Sequence, residues 1–120
     1  MLERAALLER MADQQRRFRR KELQVDFRAR HQSGAGQLLF ESADLSAGGS
    51  FLKSDLLLEV GETLVVEFRL PDVAHTIRAQ GRVAWVRRFP HAAEPAGMGL
   101  EFLAMSEEDR EILEEFLGRL

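Results

Sequence analysis

The feature that most limits what this chain can become is a period of two. Leu23, Val25, Phe27 and Ala29 are interleaved with Gln24, Asp26, Arg28 and Arg30. A strand turns successive side chains to opposite faces, so this pattern makes a strand with one buried side. Short apolar runs of the same kind follow, each stopped by Gly, Pro, Asp or Ser. Ser33 to Gly36 reads as a turn, Gln37 to Ala43 as a second strand, Asp44 to Gly49 as the next turn and Ser50 to Lys53 as a third strand. A loop over 54–61 leads to a fourth strand, Thr63 to Leu70, with Leu64, Val66 and Phe68 on one face. Pro71-Asp72 turns the chain. His75 to Arg87 reads as one long strand in which Gly81 marks a bulge or bend. Trp85 keeps step with Val83 and reads as a core residue rather than a stacking platform. A polar loop with two prolines (88–96) precedes a last strand, Gly97 to Phe102. Six short strands with tight turns predict a mainly β fold, a small antiparallel barrel.

Helices are expected only at the ends. Leu2, Ala5, Ala6, Leu8, Met11 and Ala12 recur at three- and four-residue steps, predicting a helix over 1–18. Residues 1–15 of it stand apart as an N-terminal helix before a domain of 16–120. Its stripe is too short for a coiled coil, and packing in cis and binding a partner both stay open. At the other end Ser106 is placed to cap a helix, with Asp109 three residues on, and Ile112, Leu113, Phe116, Leu117 and Leu120 share the face that should pack on the barrel.

Composition removes several functions. A single 120-residue domain can bury its own core, and the absence of Cys excludes disulfides and thiolate chemistry. No apolar run reaches the roughly 18 residues of a membrane span, and the charged N-terminus lacks a signal-peptide core, so a cytoplasmic protein without membrane insertion is expected. His31, His75 and His91 lie far apart, with no metal-ligand partner at helical or hairpin spacing. Ser46 sits in no nucleophile elbow. Neither an enzyme nor a metal or cofactor site is expected.

Two stretches remain that can hold a ligand. Arg16-Arg17-Phe18-Arg19-Arg20-Lys21 places five cations in six positions, which repel unless solvated or neutralised by an anion. Asp44-Leu45-Ser46-Ala47-Gly48-Gly49 is a turn in which Asp44 and Ser46 can fold onto the backbone and two glycines can take positive φ and admit a ligand. Either alone reads most simply as surface charge or as a tight turn. The net charge of −3 means that the arginines act locally and counts against a nucleic-acid partner.

Taken together, Arg16-x-x-x-Arg20 and Asp44-x-Ser46-x-x-Gly49, with the ending Gly97-Met98-Gly99-Leu100-Glu101-Phe102 and a helix after it, resemble the PilZ domain family, bacterial receptors for cyclic di-GMP. The resemblance covers about residues 14 to 119. It implies a six-stranded antiparallel barrel with a C-terminal helix, binding the dinucleotide at the barrel mouth without catalysis. It carries Arg16, Arg20, Asp44, Ser46 and Gly49 over as ligand contacts, with Arg17, Arg19 and Gly48 as further candidates. A register shifted to Arg17 and Lys21 stays open, though Lys is a poorer fork for guanine. The chemistry suits that ligand: Arg matches the guanine O6/N7 edge and phosphate oxygens bidentately, while Asp44 suits a guanine N1–H and N2–H2 edge or an arginine. The implied receptor orders its Arg-rich linker, moves the N-terminal helix and signals to a protein partner. An adaptor of the same fold that binds protein but no nucleotide is the alternative, and a homodimer stays open.

Overall fold

The computed structural model describes residues 21–31, 34, 36–56 and 58–120. The expected N-terminal helix and Arg16, Arg17, Arg19 and Arg20 lie outside the described residues. In chain order the elements are β1 (Lys21–Glu22), β2 (Asp26–His31), β3 (Gln37–Leu45), β4 (Gly49–Lys53), β5 (Thr63–Arg69), β6 (Thr76–Arg87), β7 (Gly97–Met105) and α1 (Glu107–Gly118).

The alternation read along Val25, Phe27 and Ala29 is real, and all three are buried. The strand itself begins at Asp26 rather than Leu23. A buried serine interrupts it: Ser42 Oγ accepts from the Val25 N–H and donates to the Leu23 carbonyl, both at 2.9 Å. The Ser42 N–H in turn donates to the Val25 carbonyl at 2.9 Å. Leu23 to Val25 are thus stitched to β3 through a side chain, and the chain steps across before β2 begins.

The strands pair antiparallel in the order β3-β2-β5-β6-β7-β4, and β4 returns to β3. Ring closure makes a six-stranded barrel and removes the open edges that attract other strands. β1 adds a two-residue ladder to β3. Inside lie Phe27, Phe40, Leu45, Leu52, Leu64, Val66, Ile77, Met98 and Leu100 among others, all nearly inaccessible. Phe27 stacks on Phe68 with ring centroids 4.4 Å apart. Each such side chain contributes roughly 1.5–3 kcal/mol on burial, and this is the main source of the fold's stability.

α1 starts where expected. Ser106 is its cap, its Oγ accepting from the Asp109 N–H at 3.1 Å. Leu113 and Leu117 enter the barrel core, with Ile112 and Phe116 packed against it, whereas Leu120 is left exposed. Asp109 ties the first turn to the barrel, accepting from the Arg78 N–H at 2.9 Å and lying 2.6 Å from His75 Nε2. At the far end Lys21 Nζ donates to the Leu120 carbonyl at 3.3 Å.

Two further expectations need correcting. The turn after the second strand is only Ser46-Ala47-Gly48, because Asp44 and Leu45 belong to β3 and Gly49 to β4. The last strand runs on past Phe102 to Met105. The bulge expected at Gly81 is present, with a register shift against β7 between Gln80 and Gly81 and another between Val83 and Trp85.

Candidate functional site

Leu52, Leu100 and Val83 belong to the inner core, so by alternation Phe51, Gly99 and Glu101 look outward. The β6 shift between Val83 and Trp85 turns the indole outward too. A shift in β3 between Ser42 and Asp44 does the same for Asp44. The outcome is one lateral row across five strands: Glu22 opposite Asp44, Asp44 opposite Phe51, Phe51 opposite Gly99 and Gly99 opposite Trp85. At about 4.8 Å per step the row spans roughly 19 Å. A neighbouring row joins Gly49, Glu101 and Arg82.

Asp44 is held rather than merely placed. Its Oδ1 accepts from the Phe51 N–H at 3.0 Å, and its carbonyl accepts from Ser50 Oγ at 2.7 Å. Ser46 is buried in the turn. Its Oγ accepts from the N–H groups of Gly48 and Gly49, each at 3.2 Å, and donates to the Gly49 carbonyl. The hydroxyl therefore builds the turn from within. The positive φ expected at the turn glycines is not found: it falls on Gly34, Gly36 and Gly61. Gly49 is needed for another reason. A Cβ there would lie 2.1 Å from the Leu100 carbonyl oxygen, so the bare backbone is what lets β4 close on β7.

The far end of the row is aromatic. Trp85 is half-buried on the outer face and not in the core as expected. Its ring stacks on Phe51 at 5.3 Å, and it crosses β7 over Gly99, where a Cβ would fall 2.1 Å from Nε1. The guanidinium of Arg87 lies 5.0 Å from the Phe51 ring centroid and 5.1 Å from that of Trp85. Beside them Arg82 Nη2 donates to the buried Glu101 Oε1 at 2.6 Å. Arg82 Nε is a buried nitrogen without a hydrogen-bond partner among the described residues.

Sequence reasoning thus placed Asp44, Ser46, Gly48 and Gly49 in one turn region. It missed Glu22, Phe51, Gly99, Arg82 and Arg87, and misplaced Trp85. Phe51 could have been found by noting that it alternates with Leu52 and must face the other way. Trp85 could not, because an extra residue in β6 reverses the parity. A hollow of about 980 Å³ lies elsewhere, beside Gln24, Leu39, Glu67 and Pro71. Its rim mixes Asp26, Arg28, Glu67 and Arg69 without converging donors. Among the described residues, no group of three or more metal-ligating side chains occurs, and no helix is long and apolar enough to cross a membrane.

The structure is a closed six-stranded barrel with a C-terminal helix, with Asp44 near the end of β3 and Ser46 in the turn that leads to β4. The PilZ domain model matches residues 14–119, and the chain belongs to that family. Among solved structures it is similar to the Bacillus subtilis inhibitor of motility MotI/DgrA, at 23% identity and a TM-score of 0.71, covering 85% of this chain and 49% of that one. It is similar to MrkH of K. pneumonia in its apo state, at 22% identity and a TM-score of 0.68, over 82% of this chain and 47% of that one. The PilZ domain of Escherichia coli YcgR with c-di-GMP matches at 17% identity and a TM-score of 0.65, over 89% of this chain and 92% of that one. The chain therefore spans about half the length of MotI and of MrkH. No curated protein sequence matches it significantly.

Proposed function

We propose that this domain binds cyclic di-GMP across the row from Glu22 to Trp85 and passes the event to a protein partner. The observation that carries the reading is β1. Lys21 lies opposite Leu45 and Glu22 opposite Asp44, and Arg20 is the residue covalently before Lys21, one peptide step of about 3.8 Å. The chain that carries the arginine run therefore enters the described structure at Lys21, one residue before the partner of Asp44, although two dozen residues separate Arg20 from Asp44 in sequence.

Arg16 and Arg20 are the proposed forks for guanine edges and phosphate oxygens, with Arg17 and Arg19 in support. Asp44, fixed by the Phe51 N–H, offers carboxylate to a guanine or to an arginine. Gly48 and Gly49 present backbone, and Ser46 holds their shape. The exposed part of Trp85 is a plane on which a base can stack. A cationic run that neutralises itself on a dianionic ligand loses its own repulsion as it orders. The segment 1–15 is the proposed output, because it continues directly from that run.

Isothermal titration of the folded chain with cyclic di-GMP tests this. Binding in the low-micromolar range or tighter is expected, lost in Arg20→Ala and in Asp44→Ala. Absence of heat at high ligand concentration, or binding indifferent to both changes, overturns it in favour of a protein-binding adaptor.

A further inference from the structure

The cations invoked so far precede β1. Another stands at the opposite end of the row. Two aromatic rings lie beneath the guanidinium of Arg87, as described above. Its Nη1 donates to the Pro95 carbonyl at 3.1 Å, and its Nη2 lies 2.9 Å from Glu94 Oε2. Glu94 is presented by a small bridge in the β6–β7 loop. There the His91 N–H donates to the Glu94 carbonyl and the Glu94 N–H to the His91 carbonyl, both at 2.9 Å.

The two partners are unequal. The Arg87 side chain is 24% exposed and the Glu94 side chain 62%. Arg87 is thus pinned by rings and by a carbonyl, so it has little rotamer freedom left to lose when it meets an anion. Glu94 returns to water readily, since so exposed an ion pair is weak. A phosphodiester offers a planar fork the same geometry that the carboxylate does.

We infer that Arg87 is a third, preformed anion contact of this site, occupied by Glu94 until a ligand phosphate replaces that carboxylate. The inference rests on the proposed function, because it takes the phosphates of cyclic di-GMP as the displacing anion. It goes beyond the motif pair in assigning a role to β6 and the 88–96 loop. Phosphate binding at Arg87 unties Glu94, so occupancy of the row is felt in that loop.

The test is titration of the whole chain and its variants with cyclic di-GMP. Glu94→Gln removes the competitor and should bind about three-fold tighter, the scale of an exposed ion pair. Arg87→Met should bind about ten-fold weaker, and Arg87→Lys should fall between because it keeps charge without the fork. The double variant should match Arg87→Met, showing that Glu94 acts through Arg87. Arg78→Met, an exposed arginine away from the row, should match the parent. If Arg87→Met fails to fold, Glu94→Gln decides alone. A parent chain that binds while Glu94→Gln and Arg87→Met bind equally well overturns this inference and leaves the proposed function standing. A parent chain that does not bind overturns the proposed function, and this inference with it.

Discussion

Glu22 lies directly opposite Asp44 in the two-residue ladder between β1 and β3. Under the proposed function, this pairing sets the register from which the preceding arginines reach the ligand. A one-residue slip turns every side chain of a strand to the other face. One alanine inserted between Arg20 and Lys21 should therefore lower ligand affinity about ten-fold, the worth of one charge-assisted contact. Thermal stability should not change. Two inserted alanines should recover part of the loss. Titration and thermal melts of the three chains check this, and equal affinity in all of them would show that register is irrelevant.

Gly49 and Gly99 both lack room for a Cβ, but against different neighbours. At Gly49 the obstacle is the backbone of Leu100, which cannot yield without opening the β4–β7 pairing. Gly49→Ala should cost about 3 kcal/mol, the upper range for overpacking. At Gly99 the obstacle is the Trp85 indole, which can swing away. Gly99→Ala should cost about 1 kcal/mol and shift the emission of the chain's single tryptophan to the red. Urea denaturation read by fluorescence separates the two; the opposite order of cost would refute the assignment.

Asp109 links α1 to β6, and its ionisation is felt in folding. Burial raises its pKa, but the Arg78 N–H, His75 and Ser106 outweigh burial and leave it below the usual carboxylate value. A carboxylate with a depressed folded pKa stabilises the fold above its unfolded pKa, near 3.8. That contribution is lost as pH falls through the folded value. Asp109→Asn should cost about 1–3 kcal/mol at pH 7, since hydrogen bonds to a charged, largely buried acceptor are weakened. It should also flatten the fall in stability below pH 4. A parallel acid limb in the variant would place the titration elsewhere.

Ser42 is the fully buried hydroxyl that carries the chain from β1 to β2. Ser42→Ala leaves the Val25 N–H and the Leu23 carbonyl without that partner, and should cost about 1–3 kcal/mol. Amide exchange at Val25 should accelerate well before that of Phe27. Unchanged protection at Val25 would mean that the bond does not hold the step.

Much of the barrel was legible because strands announce themselves locally. Thr63 to Leu70 and His75 to Arg87 were readable within a residue or two, since alternation and flanking Pro, Asp or Gly are properties of neighbours in sequence. The motif pair was legible as composition. What escaped depends on distant partners. Two residues such as Lys21 and Glu22 carry no strand signal of their own and become a strand only because Leu45 and Asp44 lie beside them. Ser42 looks like any polar residue on a strand, and its burial follows from the break at Leu23 to Val25. Trp85 was misplaced because a bulge shifts parity without altering the local pattern.

β3 has a divided allegiance that matters mechanically. Residues 37–41 pair with β2, while Asp44 and Leu45 pair with both β1 and β4. Ser42 stands at the changeover. Tension on the N-terminal chain would load the two-residue ladder and the Lys21–Leu120 tie first, and the long β2–β5–β6 seam last. The barrel is thus a stiff frame with a tear-off strip at one margin, and work done on that strip need not disturb the rest.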